Sequence, residues 1–217
     1  MLEPRTACLL VDYYEGFLSD QDLEKFRQNV TSRYSEGTLA RLLRTGSPQA
    51  RRAAVLALGI MGSFQINSSV GRSLRDPDPT VRALAQSALW AIWFRADTPE
   101  NNALLDEVQT LIGRERYRDA RSLATRLIER SPNFAEAYNQ RAIAFFAEQK
   151  FEESARDCQR VLARNPYHIG ALSGLGQCYL ILDRRADALA TFKQALKIQP
   201  FSVDLRERVA LLEAAED

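Results

Sequence analysis

The chain has 217 residues, of which 46% are hydrophobic, and its 29 Lys and Arg residues balance 28 Asp and Glu residues to a net charge of +1. This length and apolar content favour one large or two small folded domains and argue against disorder. The near-zero charge predicts no global attraction to nucleic acid or to an anionic membrane. An early apolar run, residues 7–11, is far shorter than the ~20 residues of a membrane span and lacks the flanks of a signal peptide. We therefore expect a cytoplasmic protein.

Residues 1–35 predict an N-terminal cap of two helices. Apolar side chains recur at helical spacing over residues 9–17, which indicates one amphipathic helix. Ser19 followed by Asp22 resembles a capping box, and it predicts that a second helix opens there and runs through Val30.

Residues 36–97 contain a weak internal match with a period of about 31 residues. Pro48 and Pro79 are one such period apart, and each follows a residue suited to capping a helix, Ser47 and Asp78. A proline at the first helical position is preorganised for helix entry, so both segments are predicted to begin helices.

The string DPDPTVRALAQSAL, residues 76–89, resembles HEAT repeats, especially the short bacterial kind. That resemblance extends over residues 36–96 and implies a short array of stacked helix pairs. Arg51 and Arg82 occupy matching positions in the two copies, and we expect them to bond to carbonyls or acids of neighbouring turns rather than to a ligand.

One alternative function rests on this segment, because a HEAT-like array can curve around a duplex and arginines on one wall would contact its phosphates. No acidic residue separates the six arginines concerned, which are Arg41, Arg44, Arg51, Arg52, Arg72 and Arg75. The net charge near zero makes nucleic-acid binding the less favoured hypothesis.

The helix predicted over residues 79–95 is apolar on two sides. Trp90, Trp93 and Phe94 fall roughly opposite its main apolar stripe at ~100° per residue. Two interpretations stay open: the aromatic side chains pack against the next helix, or they form an exposed binding patch.

A stronger repeat follows, in which Pro132, Pro166 and Pro200 are equally spaced at a period of ~34 residues. Small and large apolar residues recur in the same phase between these prolines, at Leu104, Tyr138 and Leu172; Leu111, Phe145 and Tyr179; Ala120, Ser154 and Ala188; and Leu127, Val161 and Ala195. Each unit reads as two helices with a polar break between them, and each proline ends the second helix.

Residues 101–202 resemble the tetratricopeptide repeat (TPR) family, whose pattern is best kept in the third unit by Leu172, Leu175, Gly176, Tyr179, Ala188, Phe192, Ala195 and Pro200. The resemblance implies an all-α fold: an α-solenoid, a right-handed superhelix of helix pairs, in which a HEAT-like array continues into three TPR units and a C-terminal capping helix at about residues 202–215. The predicted divisions are residues 1–35, 36–97 and 98–217.

In the second unit Arg141 replaces the leucine usual in the family, and Asp157 follows on the partner helix. Many repeats of the family carry such residues together. We therefore predict a largely buried, structural ion pair that ties the two helices.

The family binds other proteins on the concave surface formed by the first helix of every unit. By resemblance, the groove positions here are Leu105, Gln109, Ile112, Asn139, Ile143, Phe146, Ser173, Gln177, Leu180 and Ile181. They predict a non-enzymatic scaffold or adaptor for a peptide or helix with apolar anchors. A homodimer is also open, because solenoid edges often pair.

Family members that grip the acidic tail of heat-shock chaperones use a clamp of Lys, Arg and Asn. Here the matching positions hold Leu105, Gln109, Gln140, Gly170 and Gly174. Without a cation an anionic tail would lose its charge-assisted hydrogen bonds, so we expect no binding of such a tail. The two glycines leave room for a bulky ligand side chain.

The sequence offers little for catalysis. The single histidine, His168, follows Pro166-Tyr167 with no Cys or carboxylate nearby in sequence, and we predict a surface turn residue there. Cys8, Cys158 and Cys178 are odd in number and widely spaced, which fits neither a disulfide framework nor a zinc site. We expect no enzymatic activity, no metal and no cofactor.

Overall fold

The structure is a computed structural model, and residues 8–214 can be described in it. The ends of the predicted N-terminal cap and of the predicted C-terminal helix, residues 1–7 and 215–217, lie outside the described residues. Between residues 8 and 214 there are thirteen α-helices, two short 3-10 helices and no strand. The chain divides into two compact units between Ile92 and Trp93.

The first unit is built from short helices joined by tight turns. Its elements are α1 (Leu9–Asp20), α2 (Leu23–Thr31), α3 (Glu36–Thr45), α4 (Pro48–Met61), a 3-10 helix (Phe64–Ile66), α5 (Asn67–Arg72), a second 3-10 helix (Ser73–Arg75) and α6 (Pro79–Phe94), which contains the division. Leu10, Phe26, Leu39 and Leu58 are fully buried in this unit.

Side-chain caps explain where several of these helices begin. The Ser47 hydroxyl accepts a hydrogen bond from the amide N–H of Ala50, and Pro48 occupies the first turn of α4 as expected. The start of α2 differs from the prediction, because α1 continues through Ser19 and the N-cap is Asp22 itself, which accepts from Lys25 N–H. The division into three domains and the HEAT-like character of residues 36–96 stay predictions.

The second unit repeats one helix pair. Its helices are α7 (Pro99–Gly113), α8 (Tyr117–Arg130), α9 (Ala135–Ala147), α10 (Phe151–Arg164), α11 (Ile169–Ile181), α12 (Arg185–Ile198) and α13 (Val203–Glu213). The second helices of the three pairs, α8, α10 and α12, begin at the same interval as the prolines recur. Leu205 and Val209 are buried on α13, which packs on α12.

The same turn joins the two helices of every pair. Glu115, Gln149 and Asp183 adopt the left-handed conformation, with φ between 55° and 60°, although none of them is glycine. In each turn the next amide N–H bonds to a carbonyl five residues earlier, from Arg116 to Leu111, from Lys150 to Phe145 and from Arg184 to Tyr179. This pattern is a Schellman cap, and its recurrence means that the three pairs share one backbone turn.

A buried polar network connects the second and third pairs. The Glu136 carboxylate is fully buried and accepts hydrogen bonds from the side chains of Asn139 and Gln140, at 2.7 and 2.8 Å. Its other oxygen lies 2.9 Å from Nε2 of His168. Because Nδ1 of His168 accepts from the amide N–H of Ala171 at 2.9 Å, the ring proton belongs on Nε2, which donates to Glu136.

His168 is therefore not the surface turn residue that the sequence suggests. The side chain is fully buried, caps the N-terminus of α11 and stacks on Trp93 with ring centroids 4.2 Å apart. A signal for this burial was present in the sequence, because His168 lies one repeat period after Phe134, which is also buried. The repeat register outweighs the general preference of histidine for a turn.

The Arg141–Asp157 ion pair is present between α9 and α10. Arg141 donates two hydrogen bonds to Asp157, at 2.7 and 2.9 Å, and a third to the hydroxyl of Thr125. The Asp157 side chain is 1% exposed, and Arg160 also donates to it at 2.7 Å. Every donor and acceptor of this kind needs a partner once it is removed from water.

Within residues 8–214, no helix combines the length and the apolar composition that crossing a bilayer requires.

The His168 network can be tested with His168→Phe, which gives the third unit the residue of the second at the same repeat position. We expect the free energy of unfolding to fall by about 2–4 kcal/mol, because the cap on α11 and a charge-assisted hydrogen bond to Glu136 are both lost while a ring is kept. Urea denaturation followed by circular dichroism measures this. An unchanged or higher stability would mean that ring packing alone holds this site.

The ion pair can be tested against the third unit, which carries Leu175 and Thr191 where the second carries Arg141 and Asp157. Arg141→Leu alone should lower the free energy of unfolding by about 3 kcal/mol, since it leaves a buried carboxylate with Arg160 as its remaining cation. The double variant with Asp157→Thr should recover most of that loss, because the buried charge is gone. A double variant no more stable than the single one would contradict this account.

Candidate functional site

The candidate site is a groove in the second unit, formed by the first helices of the three pairs, α7, α9 and α11. It contains a cavity of about 270 Å³ that is lined by Ile112, Tyr117, Asn139, Ala142, Ile143, Phe146, Ala147, Ser154, Cys158, Gly170, Gly174 and Gln177. None of these side chains carries a formal charge. Apolar carbon and sulfur atoms dominate the lining, and the amides of Asn139 and Gln177 are its main polar groups.

Five of the ten predicted groove residues line this cavity together: Ile112, Asn139, Ile143, Phe146 and Gln177. Ile143 is 41% exposed, although α9 packs against α7, α8, α10 and α11. Asn139 is largely buried and donates one of its two amide hydrogens to Glu136. The predicted positions thus converge from three helices on one surface.

The other five predicted residues do not line the cavity. Leu105 is fully buried and belongs to the core, so it cannot contact a ligand as the resemblance implied. Gln109 is exposed on α7, and Ser173 accepts a long hydrogen bond from Gln177 at 3.5 Å. Leu180 and Ile181 are exposed at the C-terminal end of α11, beyond the cavity.

Gly170 and Gly174 of α11 line the cavity, and Gly176 lies further along the same helix. Gly176 is explained by packing, because a Cβ there would lie 2.5 Å from the ring of Phe192. Gly174 is different: a Cβ there would meet only the sulfur of Cys158, at 3.4 Å. Gly174 therefore faces open space within the groove.

Cys158, which lines the cavity, and Cys178 are buried, free thiols. Burial, reinforced by the neighbouring Cys178 and Asp157, raises the pKa of the Cys158 thiol to about 12. Burial also raises the pKa of Cys178. Both groups stay protonated and neutral near pH 7, so Cys158 presents an apolar sulfur to the cavity rather than a nucleophilic thiolate.

Two larger concavities of the second unit have a different character. One, of about 490 Å³, lies on the turn Asp183–Asp187, and another, of about 350 Å³, includes Glu152, Arg156 and Arg184. Charged residues line both. Over the described part of the chain, no group of three or more His, Cys, Asp or Glu side chains is arranged to hold a metal ion.

The six arginines of the first unit are not equivalent. Arg51 donates two hydrogen bonds to Asp76, at 2.8 and 2.9 Å, and Arg52 donates to Asp78 at 2.7 Å. Four remain exposed, namely Arg41, Arg44, Arg72 and Arg75. Residues 76 and 78 follow the arginine-rich stretch in sequence, and folding brings them back onto it.

The three aromatic residues near the end of α6 also differ from one another. Trp93 is 2% exposed and stacks on His168, so it is not part of an exposed patch. Phe94 is half-buried and packs against the core that contains Leu105 and Phe134. Trp90 is half-buried. Trp93 and Phe94 therefore pack inside the second unit and do not form an exposed binding patch.

Comparisons with known proteins agree with this architecture. Two models of the tetratricopeptide repeat family match residues 105–169 and 145–215. A TPR repeat-containing protein of Rhizobium etli is 25% identical over 138 residues, which is 64% of this chain and 68% of that protein.

A solved structure shares the helical fold over about half of this chain. The Sgt2 TPR domain from Aspergillus fumigatus matches 55% of this chain and 81% of its own, with 21% identity and a TM-score of 0.50. The TPR2AB-domain:pHSP90 complex of yeast Sti1 matches 96% of this chain and 91% of its own, with 18% identity and a TM-score of 0.48. The register of the prolines, the repeated turn and both family matches lead to one conclusion: residues 105–215 of the chain belong to the tetratricopeptide repeat family.

Proposed function

We propose that the chain is a non-enzymatic scaffold that binds a segment of another protein in the groove of α7, α9 and α11. Proteins of the tetratricopeptide repeat family are typically protein-interaction modules, which supports the general class. The observation that carries the specific site is the uncharged cavity, because residues of the five successive helices α7 to α11 converge on it. Such a surface suits an extended peptide or a helix with apolar anchors.

The charge of the groove restricts the partner. The lining of the cavity has no formal charge, and burying an ionised side chain there would cost hydration without a counter-ion. Apolar side chains of the partner would fit against Ile143 and Phe146, while the amides of Asn139 and Gln177 bond to its main chain. The partner segment is therefore apolar or neutral where it enters the groove.

An acidic chaperone tail does not fit this surface. Of the positions that would form the Lys, Arg and Asn clamp, Leu105 is buried, Gln140 is buried against Glu136, and Gly174 has no side chain. An anionic tail would lose its hydration and gain no charge-assisted hydrogen bond. The proposal thus separates this chain from family members that carry such a clamp.

The groove can be tested with Ile143→Glu and Phe146→Glu. Each variant places a carboxylate in the uncharged cavity, so we expect retention of the native partner to fall at least about tenfold. Quantitative pull-down from the native host, followed by titration of the identified partner, measures the change.

Leu211→Glu is the matched control for these variants. Leu211 is 72% exposed on α13, away from the cavity, so the same chemical change should leave retention intact. Circular dichroism must show that all variants are folded. A partner that both groove variants retain binds elsewhere, and that result would contradict the proposed site.

Nucleic-acid binding through the first unit is the less favoured function. The ion pairs of Arg51 and Arg52 with Asp76 and Asp78 remove two of the six guanidinium groups from phosphate contacts. We expect no tight binding of duplex DNA or RNA at about 50 mM salt, and hence no large loss of binding between about 50 and 300 mM. Fluorescence anisotropy measures this. Tight binding at low salt that Arg41→Ala and Arg44→Ala abolish would instead assign this function to the arginine surface.

A further inference from the structure

We propose that the groove holds one aromatic side chain of the bound segment in a slot beside Gly170 and Gly174. This glycine slot is the part of the cavity bounded by those two residues together with Ser154 and Cys158. The identity of the partner rests on the proposed function, whereas the slot can be tested by itself with a small aromatic probe.

The slot arises from a difference between repeats that share one backbone. Gly170 and Gly174 lie one repeat period after Glu136 and Gln140, so they occupy the same positions of the repeat. In α9 those two positions carry buried side chains that bond to each other. In α11 the side chains are missing, and a spacing of four residues places both gaps on one face of the helix.

The floor of the slot is close and neutral. A Cβ at Gly174 would lie 3.4 Å from the Cys158 sulfur, so the open space begins directly above that atom. The Ser154 hydroxyl donates to the Ala142 carbonyl at 2.9 Å and so has no hydrogen left for a ligand. An apolar group resting on this floor would therefore leave no hydrogen-bond donor of the hydroxyl unsatisfied.

The walls favour a ring over other apolar shapes. Phe146 stands beside the slot and is held by an edge-to-face contact with Phe151, with centroids 5.3 Å apart. Aromatic rings and sulfur both interact favourably with a further ring. The combination points to Phe, Tyr or Trp in the bound segment.

The size of the cavity limits the occupant to about one side chain. Its volume of about 270 Å³ lies below the ~300–1,000 Å³ that is usual for pockets of whole small-molecule ligands. A Lys, Arg or Glu side chain would enter without a counter-charge, because none of the lining residues is ionised. The slot thus selects an uncharged ring from a larger segment.

Gly170 and Gly174 also lower the intrinsic helix stability of α11. Glycine is among the residues least favourable to an α-helix, yet α11 places Gly174 where alanine would fit with an ordinary contact. Gly174→Ala should therefore raise the melting temperature by about 2–4 °C while reducing the depth of the slot. A gain in stability with a loss of binding identifies the glycine with ligand binding rather than with packing.

The test uses the full chain labelled with ¹⁵N and titrated with indole as the probe. We expect chemical-shift changes concentrated at the amides of Gly170 and Gly174, with much weaker changes for isobutanol and n-butylamine. Gly174→Ala should weaken indole binding, and Gly174→Gln, which copies Gln140, should weaken it at least about tenfold.

Gly16→Ala is the matched control. Gly16 lies within α1, and a Cβ there would meet no atom within 4 Å, so the variant gains helix stability without touching the groove. Its indole affinity should equal that of the unmodified chain. The control separates a general effect of stability from loss of the slot.

Three results would overturn the glycine slot: no shift of Gly170 and Gly174 with indole, equal indole affinity of Gly174→Gln, or isobutanol binding as tightly as indole. If these occur while Ile143→Glu still abolishes partner retention, the groove function stands and the aromatic slot does not. If indole binds as expected while both groove variants keep their partner, the slot exists and the proposed function fails.

Discussion

A buried carboxylate determines how the third helix pair begins. Glu136 accepts three side-chain hydrogen bonds inside the second unit, and one of them comes from His168, which in turn caps α11. Because Nδ1 of His168 caps α11 and Nε2 donates to Glu136, the ring joins the first turn of α11 to α9. Gly170 and Gly174 follow directly, so this contact also sets where the groove is open. A buried carboxyl group with no access to water leaves little freedom for its donors.

The three helix pairs of the second unit share one backbone and differ at a few side chains. The three pairs share their turns, with left-handed residues at the same position and the same bond across the turn. On this common backbone the second pair carries the Arg141–Asp157 ion pair where the third has Leu175 and Thr191, and both solutions are buried. The departures in α11 instead remove side chains. A constant backbone lets one position carry a buried polar side chain in one repeat and leave open space in the next.

The helix pairs of the second unit and the polar turns within them could be predicted from the sequence because they depend on local spacing. The buried state of His168 and the pairing of Arg52 with Asp78 could not, because each depends on a residue far away in the chain. Asp78 reaches Arg52 across 26 residues. The bonding of Arg51 to Asp76, in contrast, agrees with the expectation that this arginine meets an acid of a neighbouring turn. The burial of Leu105 could not be predicted either, because the repeat pattern gives its position on α7 but not how deeply that position is covered.

By itself, the sequence determined the helical repeat of the second unit, since a constant period with proline at the end of each pair leaves little choice of backbone. It also determined that the groove would be uncharged, because that is a matter of composition at known positions. Tertiary structure alone decided which groove positions are accessible, that Arg52 pairs with Asp78, and that Gly174 of α11 opens onto the sulfur of Cys158. Burial and pairing depend on what the other helices bring to a residue, and no local pattern encodes that.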